Sequence, residues 1–544
     1  MANDSPIYTH IIVGAGAAGC ILASRLSENK DFRVLLLEAG GSGKFDPTLK
    51  VPLMTALLLR GRRRLWNYRT NSEKGLDQRK IDLPRGKVLG GSTSVNGMLY
   101  ARGLAFDYDL WSQMGMPDWS WKSVQPWFLK SEDYMGTDLS DNHALGGELA
   151  VSQRAEPVSP LAQVFVEAGL SAGYPKLDDF NSPDPQGFGF YQFNIRNGRR
   201  ESSYTAFLKS ITYRPNLTIK TGLEVSRLIL SRGKIDGIEV VGRSKKYVLK
   251  AEPEIILSAG AIGSPAILLR SGIGPADELG ALEIKPQLDV REVGKNLHDH
   301  PLIRVSHKTD YDVSLHRLNR IDIAAFEFMR TLLFGSGPMN TFPLEAGAYI
   351  CGPGTEVPNI QSAFLPALST ATLRFNPFSK MQNFTPGFMA NASVMRPYSR
   401  GALHLTGKSF KDPLDININY LTDERDLDTL IDSVEILREV FGQKVFDPYR
   451  GDEISPGVKI IGRSGIAKWI RETASTVHHL AGSCRMGADK TSVVDPELRV
   501  RGIEGLRVVD ASIFPSITSA NTAAPTMMVA ERAADLISRE GQTL

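Results

Sequence analysis

A glycine-rich turn near the N-terminus constrains the fold of this chain more than any other feature. Residues 8–14 form a β-branched run that predicts a short buried strand, and residues 17–27 predict a helix with its apolar side chains on one face. The apolar run at 32–37 predicts a second strand. A strand, a glycine turn, a helix and another strand form a βαβ unit, which implies a parallel sheet.

The turn carries Gly14, Gly16 and Gly19 in a G-x-G-x-x-G pattern, and Glu38 closes the next strand about 20 residues later. Gly14 permits the tight turn, Gly16 lets a pyrophosphate approach the backbone, and Gly19 lets the helix pack closely on the strand. The N-terminus of the helix then attracts the diphosphate. Glu38 can accept hydrogen bonds from ribose hydroxyls and would repel a 2′-phosphate, which argues against NADP. The pattern therefore predicts a dinucleotide site, and by itself it fits NAD and FAD equally.

Two later segments, 84–103 and 260–275, contain repeated glycines and small residues. Such loops expose many backbone N–H groups, which suit an anion or the edge of a heteroaromatic ring. Between these two loops, short apolar segments over 216–258 predict an antiparallel meander.

The sequence pattern changes at about residue 302. From there to residue 480, alternating segments and long helical patterns predict a second domain on the substrate side. The apolar stretch at 326–334 predicts a core helix, with a lid over the substrate pocket as the alternative. A strand at 505–511 and a helix at 525–539 then return the chain to the first domain.

Composition excludes several classes of protein. With 544 residues, 42% of them hydrophobic and 23% charged, the chain can build a globular core and is neither disordered nor a coiled coil. Its net charge of +3 predicts no nucleic-acid partner. Cys20, Cys351 and Cys484 form neither a disulfide framework nor a zinc pattern. The pair His298 and His300 offers only two ligands, so no metal is predicted.

The sequence predicts a cytoplasmic protein. The first residues have neither the positively charged region nor the apolar region of a signal peptide, and no apolar run is long enough to predict a membrane span. The sparse cysteines fit a reducing compartment. The basic run at 60–64 predicts a solvated loop, with contact to a membrane surface or steering of an anionic substrate as alternatives.

Five blocks together resemble the glucose–methanol–choline oxidoreductases, which are FAD enzymes. The blocks are the turn with Glu38, the loops at 84–103 and 260–275, residues 294–301, and the C-terminal stretch from His479 to Asn521. The resemblance implies an α/β fold with two domains. One is a Rossmann-like FAD-binding domain with a parallel sheet and an antiparallel meander, and the other is an α+β substrate domain built on an antiparallel sheet. The expected boundaries are 1–155, 216–301 and 481–544 for the FAD-binding domain, and 156–215 and 302–480 for the substrate domain.

The resemblance also implies the catalytic residues. The segment 478–487 is similar to the family's H-P-x-G-T-C-R-M-G, and its register places the active-site histidine on His479. Leu480 stands where the family has proline, so His478 stays open as the alternative. The family's second active-site position, a histidine or an asparagine, falls on Asn521.

The resemblance implies FAD bound noncovalently, because Val95 stands where some family members carry the histidine that bonds to the flavin. The residues expected to bind FAD lie in the glycine turn, at the end of the second strand, in the two glycine-rich loops and near the C-terminus, with one more position before the first of these loops and one in the meander. They are Gly14, Gly16, Ala17, Ala18, Gly19, Glu38, Ala39, Trp66, Arg85, Gly86, Leu89, Gly90, Gly91, Ser92, Asn96, Gly97, Met98, Val225, Ala259, Asp510, Ala511, Asn521 and Thr522.

This resemblance implies FAD-dependent oxidation of a primary alcohol to the aldehyde, with hydride transfer to the flavin N5 atom. A neutral imidazole at His479 suits the role of base because its ordinary pKa is close to working pH. Asn521 can donate a hydrogen bond to the substrate oxygen. The expected substrate is an aliphatic alcohol or an aromatic or heteroaromatic hydroxymethyl compound. The expected electron acceptor is dioxygen, a quinone or another carrier.

Two other interpretations stay open at this stage. The family includes FAD-containing hydroxynitrile lyases, which keep the flavin without net redox turnover. An NAD-dependent reductase, or a protein that binds a dinucleotide without catalysis, is the second interpretation. A reductase that uses both FAD and NAD would usually show a second G-x-G-x-x-G with its own βαβ unit, and the sequence has none.

Overall fold

Two main sheets organise the protein in this computed structural model, which describes residues 8–62, 64–136, 140–153, 157–242, 245–311, 313–368 and 386–541. The first sheet is parallel and five-stranded, in the order Leu217–Thr221, Val34–Glu38, Tyr8–Val13, Ala251–Leu257 and Leu506–Val508. The second is larger and mainly antiparallel, in the order Glu453–Ser455, Pro301–Lys308, Gly387–Val394, Ile360–Leu365, Ala346–Ile350, Gly187–Phe190 and Lys176–Leu177, with Ser475–Thr476 also paired to Pro301–Lys308. The predicted fold class is confirmed.

Smaller antiparallel pairs and the helices surround these sheets. A three-stranded meander consists of Glu224–Ser231, Lys234–Val241 and Lys246–Leu249. Antiparallel pairs include Leu65–Arg69 with Asp82–Gly86, Leu99–Tyr100 with Gln192–Phe193, and Ala402–Leu405 with Leu414–Asn417. The α-helices are Ala17–Leu26, Thr55–Gly61, Ala105–Gln113, Trp121–Ser131, Pro160–Ser171, Gly260–Arg270, Ala276–Ala281, Ile321–Phe334, Glu424–Phe441, Gly462–Thr473 and Ala523–Gly541.

The parallel sheet is covered on both faces, and its sequence shows why. Every residue of the strand Val34–Glu38 is buried, which is the environment that an unbroken apolar run requires. The helix Ala17–Leu26 lies against the sheet and packs on the C-terminal helix Ala523–Gly541. The carboxyl ends of the strands therefore meet the N-terminus of the first helix, the place where open α/β sheets bind their ligands.

The two ends of the described chain are tied by buried charges. Arg25 in the first helix donates through Nη2 to Glu531 of the last helix over 2.8 Å, and the Glu531 side chain is fully buried. Arg25 also pairs with Glu148. Because an unpaired buried carboxylate costs several kcal/mol, this contact fixes the C-terminal helix against the βαβ unit.

One strand lies in a different sheet from the one predicted. Residues 217–221, expected within the antiparallel meander, form an edge strand of the parallel sheet, paired in register from Leu217 with Val34 to Thr221 with Glu38. The side-chain amide of Asn216 donates to the carbonyl oxygens of Asn29 and Phe32, at 2.9 and 3.0 Å. These contacts hold the start of the strand beside Val34 before the meander begins.

The prediction that 326–334 forms a core helix is wrong. The helix Ile321–Phe334 exists, but Phe326 is 66% exposed and Phe334 is 77% exposed. Only its other face packs, with Phe328 and Leu332 in a small cluster around Val51. An apolar stretch in the sequence does not show how many of its faces are covered.

Other expectations concern the domain boundaries and the basic run. The boundaries stay a prediction, and the first of them, at 155–156, falls outside the described residues. In the basic run, Arg64 donates to Asp46 over 3.1 Å, while residue 63 lies outside the described residues.

Within the described ranges, no helix combines the length and the apolar composition needed to cross a membrane.

Candidate active site

The glycine turn has the geometry that its sequence predicts. Gly14 has a φ of +101°, and a Cβ there would lie 2.5 Å from the Ser258 carbonyl oxygen. A Cβ on Gly19 would lie 1.9 Å from the Gly14 oxygen, so helix and strand touch at this point. A Cβ on Gly16 would meet nothing nearer than the Ser258 oxygen at 4.0 Å. Gly14 and Gly19 are therefore needed for packing, whereas Gly16 keeps space open.

A cavity of about 1120 Å³ begins at this turn and extends to the predicted catalytic residues. Within the described chain, no side chain caps the helix that starts at Ala17, so its first N–H groups are available to a diphosphate. The predicted cofactor residues that line the cavity are Gly14, Gly16, Ala17, Ala18, Glu38, Ala39, Trp66, Arg85, Gly86, Gly91, Ser92, Asn96, Gly97, Met98, Val225, Ala259, Asp510, Ala511, Asn521 and Thr522.

Three predicted cofactor residues do not line the cavity. Gly19 packs against Gly14, as described above, and Leu89 is buried. Gly90 has a φ of +88° and donates its N–H to the Ala15 carbonyl oxygen over 2.8 Å. These three residues hold the loops that form the wall of the cavity. Gly19 and Gly90 are therefore needed for the packing and conformation of these loops, although neither contacts the cavity.

Two buried carboxylates hold the turns around the cavity. Glu38 accepts from the backbone N–H groups of Ala15 and Gly40, at 3.1 and 2.7 Å. Burial raises the pKa of Glu38 to about 7, against the lowering effect of these two N–H groups and of Lys87. Asp510 accepts from the Gly260 N–H over 2.8 Å, which joins the C-terminal segment to the second glycine-rich loop.

The position that decides covalent attachment carries no nucleophile. Val95 lines the cavity and is 3% exposed, and it packs in a small cluster with Leu58 and Leu65. A valine side chain cannot form a bond to the flavin, so the cavity fits FAD held by noncovalent contacts.

The two predicted catalytic residues meet at the wall of this cavity. Nδ2 of Asn521 lies 3.0 Å from Nε2 of His479. Gln361 donates from Nε2 to Oδ1 of Asn521 over 3.3 Å, which turns the amide nitrogen of Asn521 toward the imidazole. Because an amide nitrogen can only donate, Nε2 of His479 is the acceptor, and its lone pair is directed at Asn521 at the wall of the cavity.

A third residue, His300, completes the network, and sequence reasoning missed it. Its Nδ1 lies 2.9 Å from Nδ1 of His479, and the two rings are perpendicular. Since Nε2 of His479 carries the lone pair, Nδ1 of His479 carries the hydrogen and donates to His300. The H-x-H pattern at 298–300 was the available signal, but it was considered only as a metal site. In the described residues, no group of three or more histidine, cysteine or acidic side chains could bind a metal.

The surroundings keep His479 neutral. Burial lowers its pKa well below the ordinary value of 6.5, and the positive or partly positive groups of His300, Arg85 and His478 lower it further. The pKa of His300 is lowered to about 4, again chiefly by burial. At neutral pH both imidazoles are therefore uncharged, and each has one ring nitrogen that can accept a hydrogen bond.

His478 has a different environment from its neighbour. It lines the cavity, but among the described residues its buried Nδ1 has no hydrogen-bond partner. Its backbone has a φ of +67°, and its carbonyl oxygen accepts from Nη1 of Arg85 over 2.6 Å. Only His479 thus meets Asn521, which supports the register that was chosen across Leu480.

Comparison with known proteins identifies the family. The profiles of the glucose–methanol–choline (GMC) oxidoreductases match residues 8–302 and residues 397–530. The chain belongs to this family. As a GMC oxidoreductase it is an FAD-dependent enzyme that acts on CH–OH groups.

Several relatives of this GMC oxidoreductase cover almost its full length. An oxygen-dependent choline dehydrogenase of Vibrio vulnificus is 38% identical, over 97% of this chain and 94% of that protein. One of Pseudomonas putida is 40% identical over the same shares. The crystal structure of pyridoxine 4-oxidase from Mesorbium loti has a TM-score of 0.87 and 33% identity, over 98% of this chain and 99% of that one. Formate oxidase of Aspergillus oryzae, at 24% identity and a TM-score of 0.91 over both whole chains, shares the fold.

Replacing Gly16 by alanine is expected to reduce FAD occupancy while the protein stays folded. The added methyl group has space in the turn, but it stands where the diphosphate approaches the backbone. The flavin-to-protein ratio and the thermal melting curve measure the two effects. Gly19→Ala is the matched contrast, since its methyl would collide with the Gly14 oxygen, and it should lose stability. Full FAD occupancy in Gly16→Ala would contradict this assignment.

Proposed function

We propose that this GMC oxidoreductase oxidises a primary hydroxymethyl group on an aromatic or heteroaromatic compound to the aldehyde. The observation that carries the proposal is the 3.0 Å separation of His479 Nε2 and Asn521 Nδ2 at the wall of the cavity. An alcohol oxygen about 3 Å from both atoms would lose its proton to His479 and accept a hydrogen bond from Asn521. FAD, when bound, accepts the hydride from the carbinol carbon.

Each residue of the network has a separate task in this proposal. His479 takes the hydroxyl proton at Nε2, because Nδ1 already carries a hydrogen. His300 accepts that Nδ1 hydrogen and so fixes the tautomer and the ring orientation. Asn521 stabilises the charge that develops on the oxygen, and Gln361 orients its amide. His300 and Gln361 are thus positioning residues.

The composition of the cavity supports an aromatic substrate. Phe342, Leu344 and Met98 supply apolar surface, and the cations Arg85 and Arg304 also line the cavity. A flat ring suits such a wall, whereas the quaternary ammonium of choline would be repelled by both guanidinium groups. Similarity to pyridoxine 4-oxidase supports this choice, and similarity to choline dehydrogenases makes choline the competing substrate for a test.

The activities for which the relatives are named also bear on the other predictions. Choline dehydrogenase and pyridoxine 4-oxidase are oxidising enzymes, so they do not favour the hydroxynitrile lyase alternative. The similarity to an oxygen-dependent choline dehydrogenase and to an oxidase supports dioxygen as the electron acceptor over a quinone. Reoxidation of the reduced enzyme by dioxygen, compared with a soluble quinone, decides between these two acceptors.

Anaerobic mixing with an alcohol tests the proposed reaction. Benzyl alcohol and pyridylmethanols should bleach the flavin of the wild-type enzyme, whereas choline should act far more slowly. His479→Asn should keep its FAD and reduce the flavin about 100- to 10,000-fold more slowly, the usual range for loss of a positioned base. His478→Asn is the matched control and should change the rate little. Bleaching by none of the alcohols would contradict the proposal, and a crippled His478→Asn with a mild His479→Asn would move the base to His478.

The pH dependence of flavin reduction follows from the lowered pKa of His479. Only the neutral imidazole can accept the proton, and a lowered pKa keeps it neutral to lower pH. The rate of reduction should therefore be constant from about pH 7 upward and fall only in acid, below the ordinary pKa of about 6.5. Arg85→Met removes one charge that lowers this pKa and should move the fall to higher pH. If the rate of flavin reduction in the wild-type enzyme showed an inflection above pH 7, the assignment of His479 as the base would be contradicted.

A further inference from the structure

One wall of the cavity is formed by three neighbouring strands of the antiparallel sheet. In the first cross-strand row, Leu302 pairs with Ser393, and Ser393 pairs with Gln361. In the next row along the same face, Arg304 pairs with Asn391, and Asn391 pairs with Ala363. All six side chains line the cavity, which follows from the two-residue period of side chains on a strand.

The first row touches the reacting pair, and the second lies beyond it. Gln361 holds Asn521, as described above, so the first row marks where the hydroxymethyl group would bind. Arg304 stands two residues farther along its strand than Leu302, a distance of roughly 7 Å. A six-membered ring with substituents at opposite positions spans a distance of this order. The second row therefore faces the far end of an aromatic substrate.

Arg304 is a partly buried cation without a counter-charge in the part of the chain that the structure describes. Its Nε is buried and has no hydrogen-bond partner there, and the same holds for Oδ1 of Asn391 beside it. Burial alone lowers the pKa of Arg304, because no carboxylate acts on it. A guanidinium stays protonated even so, and a partly buried charge without a partner is more stable when a ligand supplies the opposite charge.

The carboxylates that line the cavity are engaged elsewhere. Glu38 and Asp510 accept backbone N–H groups, as described above. Glu224 lies 3.6 Å from Lys87, and Asp412 accepts from the Ser409 N–H over 2.9 Å. The segment 366–386, which connects two of the three strands of this wall, contains no aspartate or glutamate in its sequence. An anionic partner for Arg304 is therefore expected from the ligand.

We propose that Arg304 binds an anionic oxygen at the far end of the substrate. The preferred substrates are then hydroxymethyl arenes or heteroarenes that carry a carboxylate or a phenolate across the ring from the hydroxymethyl group. Asn391, whose Oδ1 has no partner among the described residues, accepts a donor from the ligand or from a water beside the anion. The substrate preference rests on the proposed function, whereas the anion site stands independently of it.

Binding of a ligand that cannot be oxidised tests the anion site by itself. The probe is 4-methylbenzoate, compared with the neutral 4-methylbenzamide, and the readout is the change in flavin absorbance on titration of the holoenzyme. The wild type should bind the anion about 10- to 100-fold more tightly, the usual effect of a hydrogen bond to a charged group. Arg304→Met should remove the difference, and Arg304→Lys, which keeps the charge, should retain part of it. Equal binding of both probes to the wild type would overturn the proposal.

Anaerobic flavin reduction then tests the substrate preference. The apparent second-order rate constant of flavin reduction by 4-(hydroxymethyl)benzoate should fall about 10- to 100-fold in Arg304→Met. The corresponding rate constant for benzyl alcohol should change little. A uniform loss with both alcohols would mean that Arg304 only supports the structure, and the proposal would fall. If no alcohol reduces the flavin but 4-methylbenzoate binds through Arg304, the proposed oxidation fails and the anion site stands.

Discussion

The buried carboxylate of Asp299 joins the two parts of the chain that carry the active-site imidazoles. Its Oδ1 accepts the backbone N–H of His300 over 2.9 Å and that of His479, 180 residues away, over 2.6 Å. Its Oδ2 accepts from the hydroxyl groups of Tyr420 and Thr476. Asp299 is 1% exposed and accepts from four donors, which fix the two backbone segments relative to each other. This brings the rings of His300 and His479 within hydrogen-bonding distance.

The second organising constraint is electrostatic. The site is buried, and the guanidinium groups of Arg85 and Arg304 face it without a carboxylate in contact, among the described residues. Burial, together with the charge of Arg85, lowers the pKa of His479, which keeps the imidazole neutral and able to accept a proton. In the proposed reaction, the charge of Arg85 also favours the negative charge that develops on the substrate oxygen, and both guanidinium groups disfavour cationic substrates. One arrangement of charges thus serves both the base and the choice of substrate.

The sequence predicted local features better than features that depend on pairing between distant strands. The glycine turn could be predicted because its residues are adjacent and each glycine has a steric reason, and the resemblance placed His479 and Asn521 through short motifs. His300 was missed because its partner is 179 residues away and its own motif is compatible with several roles. Arg304 gave no signal, since only the register of the antiparallel sheet brings it to the cavity. The strand at 217–221 was misplaced for the same reason, because a five-residue segment with two alternating apolar residues does not specify its neighbour.

The proposed mechanism depends on one proton, the hydrogen on Nδ1 of His479. Nitrogen-15 NMR of histidine-labelled holoenzyme can locate it, because the chain has only nine histidines and the signals of His479 can be assigned with His479→Asn. At neutral pH we expect an uncharged ring with hydrogen on Nδ1 and a lone pair on Nε2. The same tautomer should be lost or mixed in His300→Leu, which removes the acceptor. A ring with hydrogen on Nε2, or an imidazolium at neutral pH, would contradict the account, because neither form can accept the proton of an alcohol at the cavity wall.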